Sequence, residues 1–364
     1  MKITKVETAV LEVPLDVPIA DAQSRLDKWG LLYVQIHTDE GITGCGYNSN
    51  TGAGARSLKT LMDYDIAPQL IGRDVFMVKR IWEEIYLRTH FTGVTGVSVQ
   101  GLAAPEIAMW DAIAKRLQQP LWKILGGYES SQLPTYNTDG GWLSLSQSEL
   151  VERMRRLADQ GWHGMKMKVG GPDPAVDYER VGAVRKAIGP GVKLMVDANT
   201  NWDVPTAIKW TRRLADFDIF WMEEPVHPFD VGGNAQVARA VETPLALGEN
   251  IHSVHMWRDM FEQRAVGIVQ ADALKLGGIS SWLQVAWMAH AYSLPVVPSV
   301  WDMMQLNVHL CASIPNAFKV EFIPWISKIF LRPVEFVDGY LKVPQEPGAG
   351  TEISPSALEK YRVA

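Results

Sequence analysis

Apolar and polar positions alternate with period two over residues 2–13 and again over 31–38 (LLYVQIHT), which predicts two half-buried strands. The turn Asp39-Glu40-Gly41 joins the second to ITGCGY, a hairpin signal. The period then becomes helical. Residues 55–70, 76–88 and 98–118 space their apolar positions at three and four, as amphipathic helices do. Strands followed by grouped helices predict a small α+β domain that closes near Leu125-Gly126-Gly127.

From about residue 133 the pattern changes to short apolar runs alternating with amphipathic helices. The runs are GMKMKV (164–169), KLMVDA (193–198), IFWMEEP (219–225), PLALGE (244–249), GIVQAD (267–272), PVVPSV (295–300) and FKVEF (318–322). Repeated βα units imply a parallel sheet, and about 190 residues of them favour a closed barrel over an open sheet. No Gly-rich phosphate loop follows any of the runs, which weighs against a dinucleotide site. The tail from Pro333 contains another turn, VDGYLKV, and is expected to return to the first domain.

Composition narrows the class. The chain is 47% hydrophobic and 21% charged, enough apolar surface to offset ordering entropy, so disorder is excluded. A net charge of -6 argues against nucleic acid as a partner. No apolar run reaches membrane-spanning length, so no membrane partner is expected, and the alternating N-terminus reads as a strand rather than a signal peptide. Cys45 and Cys311 cannot build a disulfide framework and suit a reducing cytoplasm.

In a barrel the chemistry lies at the C-terminal ends of the strands. Those ends carry Lys166 and Lys168, then Asp197 and Asn199, then Glu223-Glu224-Pro225, then Glu249-Asn250, then Asp272 and Lys275, and finally Glu321. Asp197, Glu223 and Glu249 are 26 residues apart twice over, one carboxylate per βα unit. Singly each could be a solvated loop residue or a helix cap. Three in register on neighbouring strands would repel one another unless a cation lies between them. Oxygen ligands without His or Cys select Mg²⁺ over zinc or copper. Lys166 and Lys168 are two residues apart, so they share one side of their strand, and the interior mouth costs them less than the apolar helix layer. There the Lys166 cation and partial burial would lower the pKa of Lys168 toward that of a general base. A divalent cation, a fixed ammonium and a lysine base can together remove the proton α to a carboxylate and hold the enediolate that results.

The sequences K-M-K at 166–168, Asp197, Glu223 in MEEP, Glu249 in LGEN and DALKLGG at 272–278 together resemble the mandelate racemase subgroup of the enolase superfamily. LAAPEIAMWDAIAKRLQQPLWKILGG and the closing PGAGTEI extend the resemblance over nearly the whole chain. It implies an α/β fold, with an α+β capping domain over 1–127, completed by about 333–364, on a (β/α)7β barrel over 128–332. It implies Mg²⁺ on Asp197, Glu223 and Glu249, Lys168 as base, and Glu321 as a hydrogen-bonding or electrophilic partner of the substrate carboxylate, which Lys166, as the fixed cation, would hold. It also implies substrate selection by two capping-domain loops, here Pro18–Trp29 and Tyr47–Ala55, and a homo-oligomer, often an octamer. Tyr47, Asn137, Asn199 and His252 are the further substrate-binding candidates. The pattern departs at strand seven, where the family places a His paired with the Asp of strand six. Asp272 is present, but alignment from Pro295 puts Ser299 at the His position, and alignment from His309 puts Trp301 there. Asp302 or Asp272 alone could replace the lost acid/base, and Asp272 could instead bind a substrate hydroxyl or pair with Lys275 or Lys168.

These residues point first to dehydration of an acid sugar, an aldonate or aldarate, to a 2-keto-3-deoxy acid. One basic face suffices for a syn elimination. A cycloisomerase acting on a sugar lactone or anhydro-sugar acid has the same requirement. A racemase or epimerase needs bases on both faces, which the missing His disfavours. A barrel that binds metal and acid without turnover is the alternative of another class.

Overall fold

The computed structural model describes residues 1–51, 53–299 and 304–364. The first domain holds an antiparallel sheet of β1 (Ile3–Ala20), β2 (Arg25–Thr38) and β3 (Thr43–Thr51), in that order. The first two strands run well past the alternating segments. Pro14 and Pro18 interrupt the alternation, and the β1–β2 register shifts between Pro14 and Ile19 before pairing resumes. Pro18–Trp29 is therefore the far end of a hairpin rather than an open loop, and the first half of Tyr47–Ala55 is likewise strand.

The sheet has two buried faces. Leu32, Val34 and Ile36 pack on the helices α1 (Ala55–Leu61), α2 (Ala67–Leu70), α3 (Val78–Thr89) and α4 (Val97–Arg116), with one π-helical stretch at Met62–Ile66 between the first two. Leu11, Val13, Leu31, Tyr33 and Tyr47 belong to the core shared with the barrel. α4 is apolar on nearly every side, as expected of a helix enclosed by other elements. It lies directly on β3 because Gly44 and Gly46 have no side chain. A Cβ there would sit 2.0 Å and 2.1 Å from the carbonyl oxygens of Ala108 and Ala104.

After α5 (Leu121–Ile124) the chain enters the barrel. It runs β4 (Gln132–Gly141), α6 (Gln147–Asp159), β5 (Gly164–Lys168), α7 (Pro174–Ile188), β6 (Lys193–Asp197), α8 (Val204–Leu214), β7 (Ile219–Glu223), α9 (Val231–Ala240) and β8 (Leu245–Leu247). It continues with α10 (Val254–Glu262), β9 (Ile268–Val269), α11 (Ile279–Ala291), α12 (Met304–Ala312) and β10 (Val320–Phe322). β4 to β9 are parallel neighbours in sequence order. Over the described residues 295–299 of the expected strand the pairing consists of bridges from Val296 to Val269 and Ala317, and β10 pairs with β4 to close the barrel. Seven helices against eight strand positions give the (β/α)7β arrangement. Many of the helices begin on a polar cap. The side chains of Ser146, Asp173, Asp203, Asp230 and Ser253 each accept a hydrogen bond from a first-turn N–H.

The tail divides its contacts. β11 (Phe336–Val337) and β12 (Tyr340–Lys342) form a hairpin against β4. From Gly348 onward the chain joins the first domain: Ala349 N–H donates to Asp111 Oδ1 at 2.7 Å and, after α13 (Pro355–Tyr361), Val363 N–H donates to Val10 O at 2.8 Å. Among the described residues no helix is long and apolar enough to cross a membrane.

Candidate active site

Period two along the barrel strands builds the site in layers. Tyr136, Met195, Trp221, Ala246, Ile268 and Val297 form one buried cluster, the apolar floor of the barrel interior. Two residues further along the same strands come Thr138, Asp197, Glu223, Gly248, Gln270 and Ser299, a polar layer above the floor. β5 contributes both Lys166 and Lys168. The parallel register sets Lys168 opposite Asp197 and Asp197 opposite Glu223.

The charged groups are all buried. Lys166 Nζ donates to Glu223 Oε1 at 2.5 Å and lies 2.9 Å from Glu321 and 3.5 Å from Asp197. Lys168 Nζ donates to Asp197 Oδ2 at 2.5 Å. Its ammonium stands 5.5 Å from the Trp142 ring, and that of Lys166 stands 5.9 Å from the Tyr136 ring. Glu223 also accepts from Trp221 Nε1 at 3.0 Å and Gln270 Nε2 at 2.8 Å. Glu249 accepts long hydrogen bonds from Asn199 and Asn250, each 3.4 Å, and Asn250 also donates to Glu224 at 2.9 Å. Thr138 donates to Glu321.

Two lysines face five buried carboxylates: Asp197, Glu223, Glu224, Glu249 and Glu321. The excess of negative charge shows in the titration. Burial, then repulsion from neighbouring carboxylates, pushes Glu223 and Glu249 well above the ordinary range, and Glu224 to about 8. Asp197 alone is held low, at about 2, because the pull of Lys168 and Lys166 outweighs its burial. The expected lowering of Lys168 is corrected here. Burial and Lys166 do push its pKa down, but Asp197, with Glu249 and Glu223 behind it, prevails and raises it.

Among the described residues no three His, Cys, Asp or Glu side chains are gathered at metal-binding distance; the lysine ammonium groups stand among the carboxylates instead. The donor set nevertheless fits a hard divalent cation. Glu224 Oε1 and Asn199 Oδ1, beside Glu249 and Asp197, are buried oxygens without a partner among the described residues. The crowded carboxylates bear more negative charge than the two ammonium groups cancel. Asp197, Glu223 and Glu249, with Glu224 adjacent, are the residues that could hold Mg²⁺.

The other candidates separate. Asn199 has a left-handed backbone (φ 42°), and its N–H donates to Asp197 Oδ1 at 2.9 Å, so it caps the metal-side turn. Asp272 is buried. Its Oδ1 accepts from Leu274 N–H at 2.7 Å and it makes no ion pair with Lys275 or Lys168; burial raises its pKa to about 6. Ser299 is buried, and its Oγ has no partner among the described residues. Trp301 and Asp302 lie outside the described residues. Asn137 is a correction: alternation turns Thr138, not Asn137, inward, and Asn137 Oδ1 lies near Gly140 beside Leu157 and Met154 of α6. Asp139, at the end of β4, accepts from Trp325 Nε1 at 2.8 Å and pairs with Arg153 at 3.1 Å. Tyr47 packs in the shared core, its ring 5.4 Å from that of Phe330. His252 points to Gln100 of α4, 3.4 Å away, and lines an outer groove with Trp82, His255 and Trp287. His309 is buried in α12, where Nδ1 accepts from Trp122 N–H.

Thr138, Gln270 and Trp221 were not singled out from the sequence. Period two counted back from Asp272 and Glu223 would have found Gln270 and Trp221, whereas Thr138 meets Glu321 only across 183 residues of sequence. The hairpin tip at Asp21–Ser24 closes over this end of the barrel. Gln23 Nε2 donates to Asn199 O at 2.7 Å and to Thr200 Oγ1, and Leu143 N–H donates to Ala20 O at 3.0 Å.

Residues 4–126 match the model of the mandelate racemase / muconate lactonizing enzyme N-terminal domain, and residues 149–357 match the enolase C-terminal domain-like model. The chain is 31% identical to a 3,6-anhydro-alpha-L-galactonate cycloisomerase of Streptomyces coelicolor, over 99% of both chains. It is 32% identical to an L-talarate/galactarate dehydratase of Salmonella typhimurium, over 98% of this chain and 90% of the other. The crystal structure of an L-talarate dehydratase from Polaromonas sp. JS666, complexed with Mg and L-glucarate, superposes with a TM-score of 0.92 at 35% identity, covering 100% of this chain and 98% of that one.

Proposed function

Because the chain belongs to the mandelate racemase / muconate lactonizing enzyme family of the enolase superfamily, we propose that it is a Mg²⁺-dependent enzyme that removes the proton α to a carboxylate and dehydrates an acid sugar to a 2-keto-3-deoxy acid. The observation that carries this reading is the pair Lys166 and Lys168, buried on one side of β5 against a ring of carboxylates. None of the eight His residues makes a hydrogen bond with these groups, and none stands at the end of the seventh strand. Such a mouth has one lysine-bearing face.

A bound magnesium ion would supply the charge that Asp197, Glu223 and Glu249 call for, hold a substrate carboxylate, and relieve Lys168 of the pull of Asp197. The protein's own groups do the rest. Neutral Lys168 takes the α-proton, and the C–H electrons pass into the carboxylate to give an enediolate. Lys166 lies beside it to hold the added charge, and Glu321, fixed by Thr138, positions that ammonium. The electrons then return, the C–O bond at the β-carbon breaks, and the ammonium of Lys168 gives its proton to the departing hydroxide. Water leaves, and the enol becomes the 2-keto acid.

A second reading is supported by the end-to-end match to the Streptomyces cycloisomerase. The same proton removal could expel a ring oxygen instead of water, giving a product of unchanged mass. A panel of aldonates, aldarates, sugar lactones and anhydro-sugar acids, incubated with Mg²⁺, separates the readings. Loss of water to a 2-keto-3-deoxy acid supports the first, and isomerisation without mass change supports the second. No reaction or α-exchange with any acid, beside normal Mg²⁺ binding, rejects both. The exposed apolar residues Leu87, Phe91, Val94 and Trp287 are in keeping with a homo-oligomer, and two buried thiols with the cytoplasm.

A further inference from the structure

The second strand of an eight-stranded barrel faces the sixth, so the wall opposite Lys168 is built by β9 and the adjoining strand at Val296. Two buried side chains on that wall have polar atoms without partners among the described residues: Gln270 Oε1 and Ser299 Oγ, on residues 1% and 3% exposed. They sit on neighbouring strands, joined by the Val269–Val296 bridge, each two residues beyond a floor residue, Ile268 and Val297. Gln270 reaches past β8 to Glu223 at the end of β7. Gln270 Nε2 donates to Glu223 Oε2 at 2.8 Å, which leaves Oε1 as an acceptor without a partner among the described residues. Asn307 takes the Ser299 backbone carbonyl at 2.8 Å and leaves the hydroxyl uncommitted.

We propose that Gln270 and Ser299 form a hydroxyl-recognition wall that selects the substrate by an O–H group on the face turned away from Lys168. This rests on the reading of the protein as an acid-sugar enzyme. An acceptor-only amide oxygen beside a hydroxyl matches a substrate O–H and has nothing to offer a methylene. A site built this way discriminates against an acid lacking that hydroxyl, because its buried groups then stay unpaired. Neither Gln270 nor Ser299 is charged or basic, so the pair reads stereochemistry and takes no part in proton transfer.

The test uses the Mg²⁺-loaded full chain, Ser299→Ala and Ser299→Thr, with Gln270→Met as a second variant. The substrates are the best acid sugar of the panel and its analogues deoxygenated one carbon at a time. Ser299→Ala and Gln270→Met are expected to lower kcat/KM for the full acid by roughly ten- to a hundredfold. They should leave one deoxy analogue within about twofold, so that the preference between the two collapses, and Ser299→Thr should restore it. An equal fall for every acid, or an unchanged preference, overturns the proposal. If the wild type exchanges no α-proton with any acid, the functional reading fails by itself. Calorimetric binding of the same pairs then decides: a hydroxyl preference that Ser299→Ala removes upholds the wall, and one it leaves intact refutes it.

Discussion

Glu106 gives the sharpest link between sequence and architecture. It is wholly buried in α4 of the first domain, yet it caps the first turn of α11 in the barrel. Its carboxylate accepts from Ile279 N–H at 2.8 Å, Ser280 N–H at 3.0 Å, Ser280 Oγ at 2.6 Å and Trp110 Nε1 at 2.9 Å. A Cβ on Gly278 would lie 2.3 Å from Oε2, so the second glycine of DALKLGG makes room for this group. Trp82 Nε1 grips the first, Gly277 O, at 2.7 Å. The segment that begins with Asp272 is thereby fixed to the first domain. Glu106→Ala strands three buried donors, each costing about 1–3 kcal/mol, while Trp110 Nε1 keeps Ser280 Oγ at 3.3 Å. It also removes a carboxylate whose pKa burial has pushed up, a sign that these hydrogen bonds do not fully offset its desolvation. The net loss expected is about 3–4 kcal/mol, and about half that for Glu106→Gln, which keeps an acceptor oxygen. Urea denaturation followed by tryptophan fluorescence measures it. A Glu106→Ala protein within 1 kcal/mol of wild type would refute the cap.

Asp272 carries a pH signature. Its pKa is raised from 3.8 to about 6, so its favourable contribution is full below about 4 and is lost as pH rises through 6. Asp272→Asn keeps the turn hydrogen bonds and should flatten the stability profile over that window by up to about 3 kcal/mol; equal slopes in the two proteins would exclude this burial. Gln23→Ala releases the hairpin tip from Asn199 and Thr200, so KM for the acid substrate should rise severalfold at little cost in folding stability, checked by steady-state kinetics beside a melting curve. Mg²⁺ at a hundredfold excess over its Kd should stabilise the protein by about 2.7 kcal/mol and do nothing for Asp197→Asn, which removes one of the proposed ligands; a similar gain in the variant would move the metal elsewhere.

The site was legible where one strand carried its own signal. The 26-residue spacing of Asp197, Glu223 and Glu249, and the step of two between Lys166 and Lys168, are properties of βα repeats and of the pleat, so neighbouring sequence reveals them. What could not be read locally was which neighbour dominates. Lys168 lies 2.5 Å from Asp197, closer than its relation to Lys166 suggested, and its pKa rises instead of falling. Asn137 was placed at a strand end without a parity, and parity turned it toward α6. The chain leading into Pro18–Trp29 lacks clean alternation because Pro14 and Pro18 break it, although the pairing on either side restores a hairpin. The cap from Glu106 spans 174 residues of sequence, beyond any local pattern.

The central claim is that Lys168 removes an α-proton from a carboxylate bound at the mouth of the barrel. Incubation in D₂O with Mg²⁺ and the preferred acid, followed by mass spectrometry and proton NMR, tests it directly. Deuterium at the carbon beside the carboxylate of recovered substrate, or beside the new keto group of product, is expected for wild type and absent for a folded Lys168→Met protein. Undiminished incorporation in Lys168→Met would contradict it.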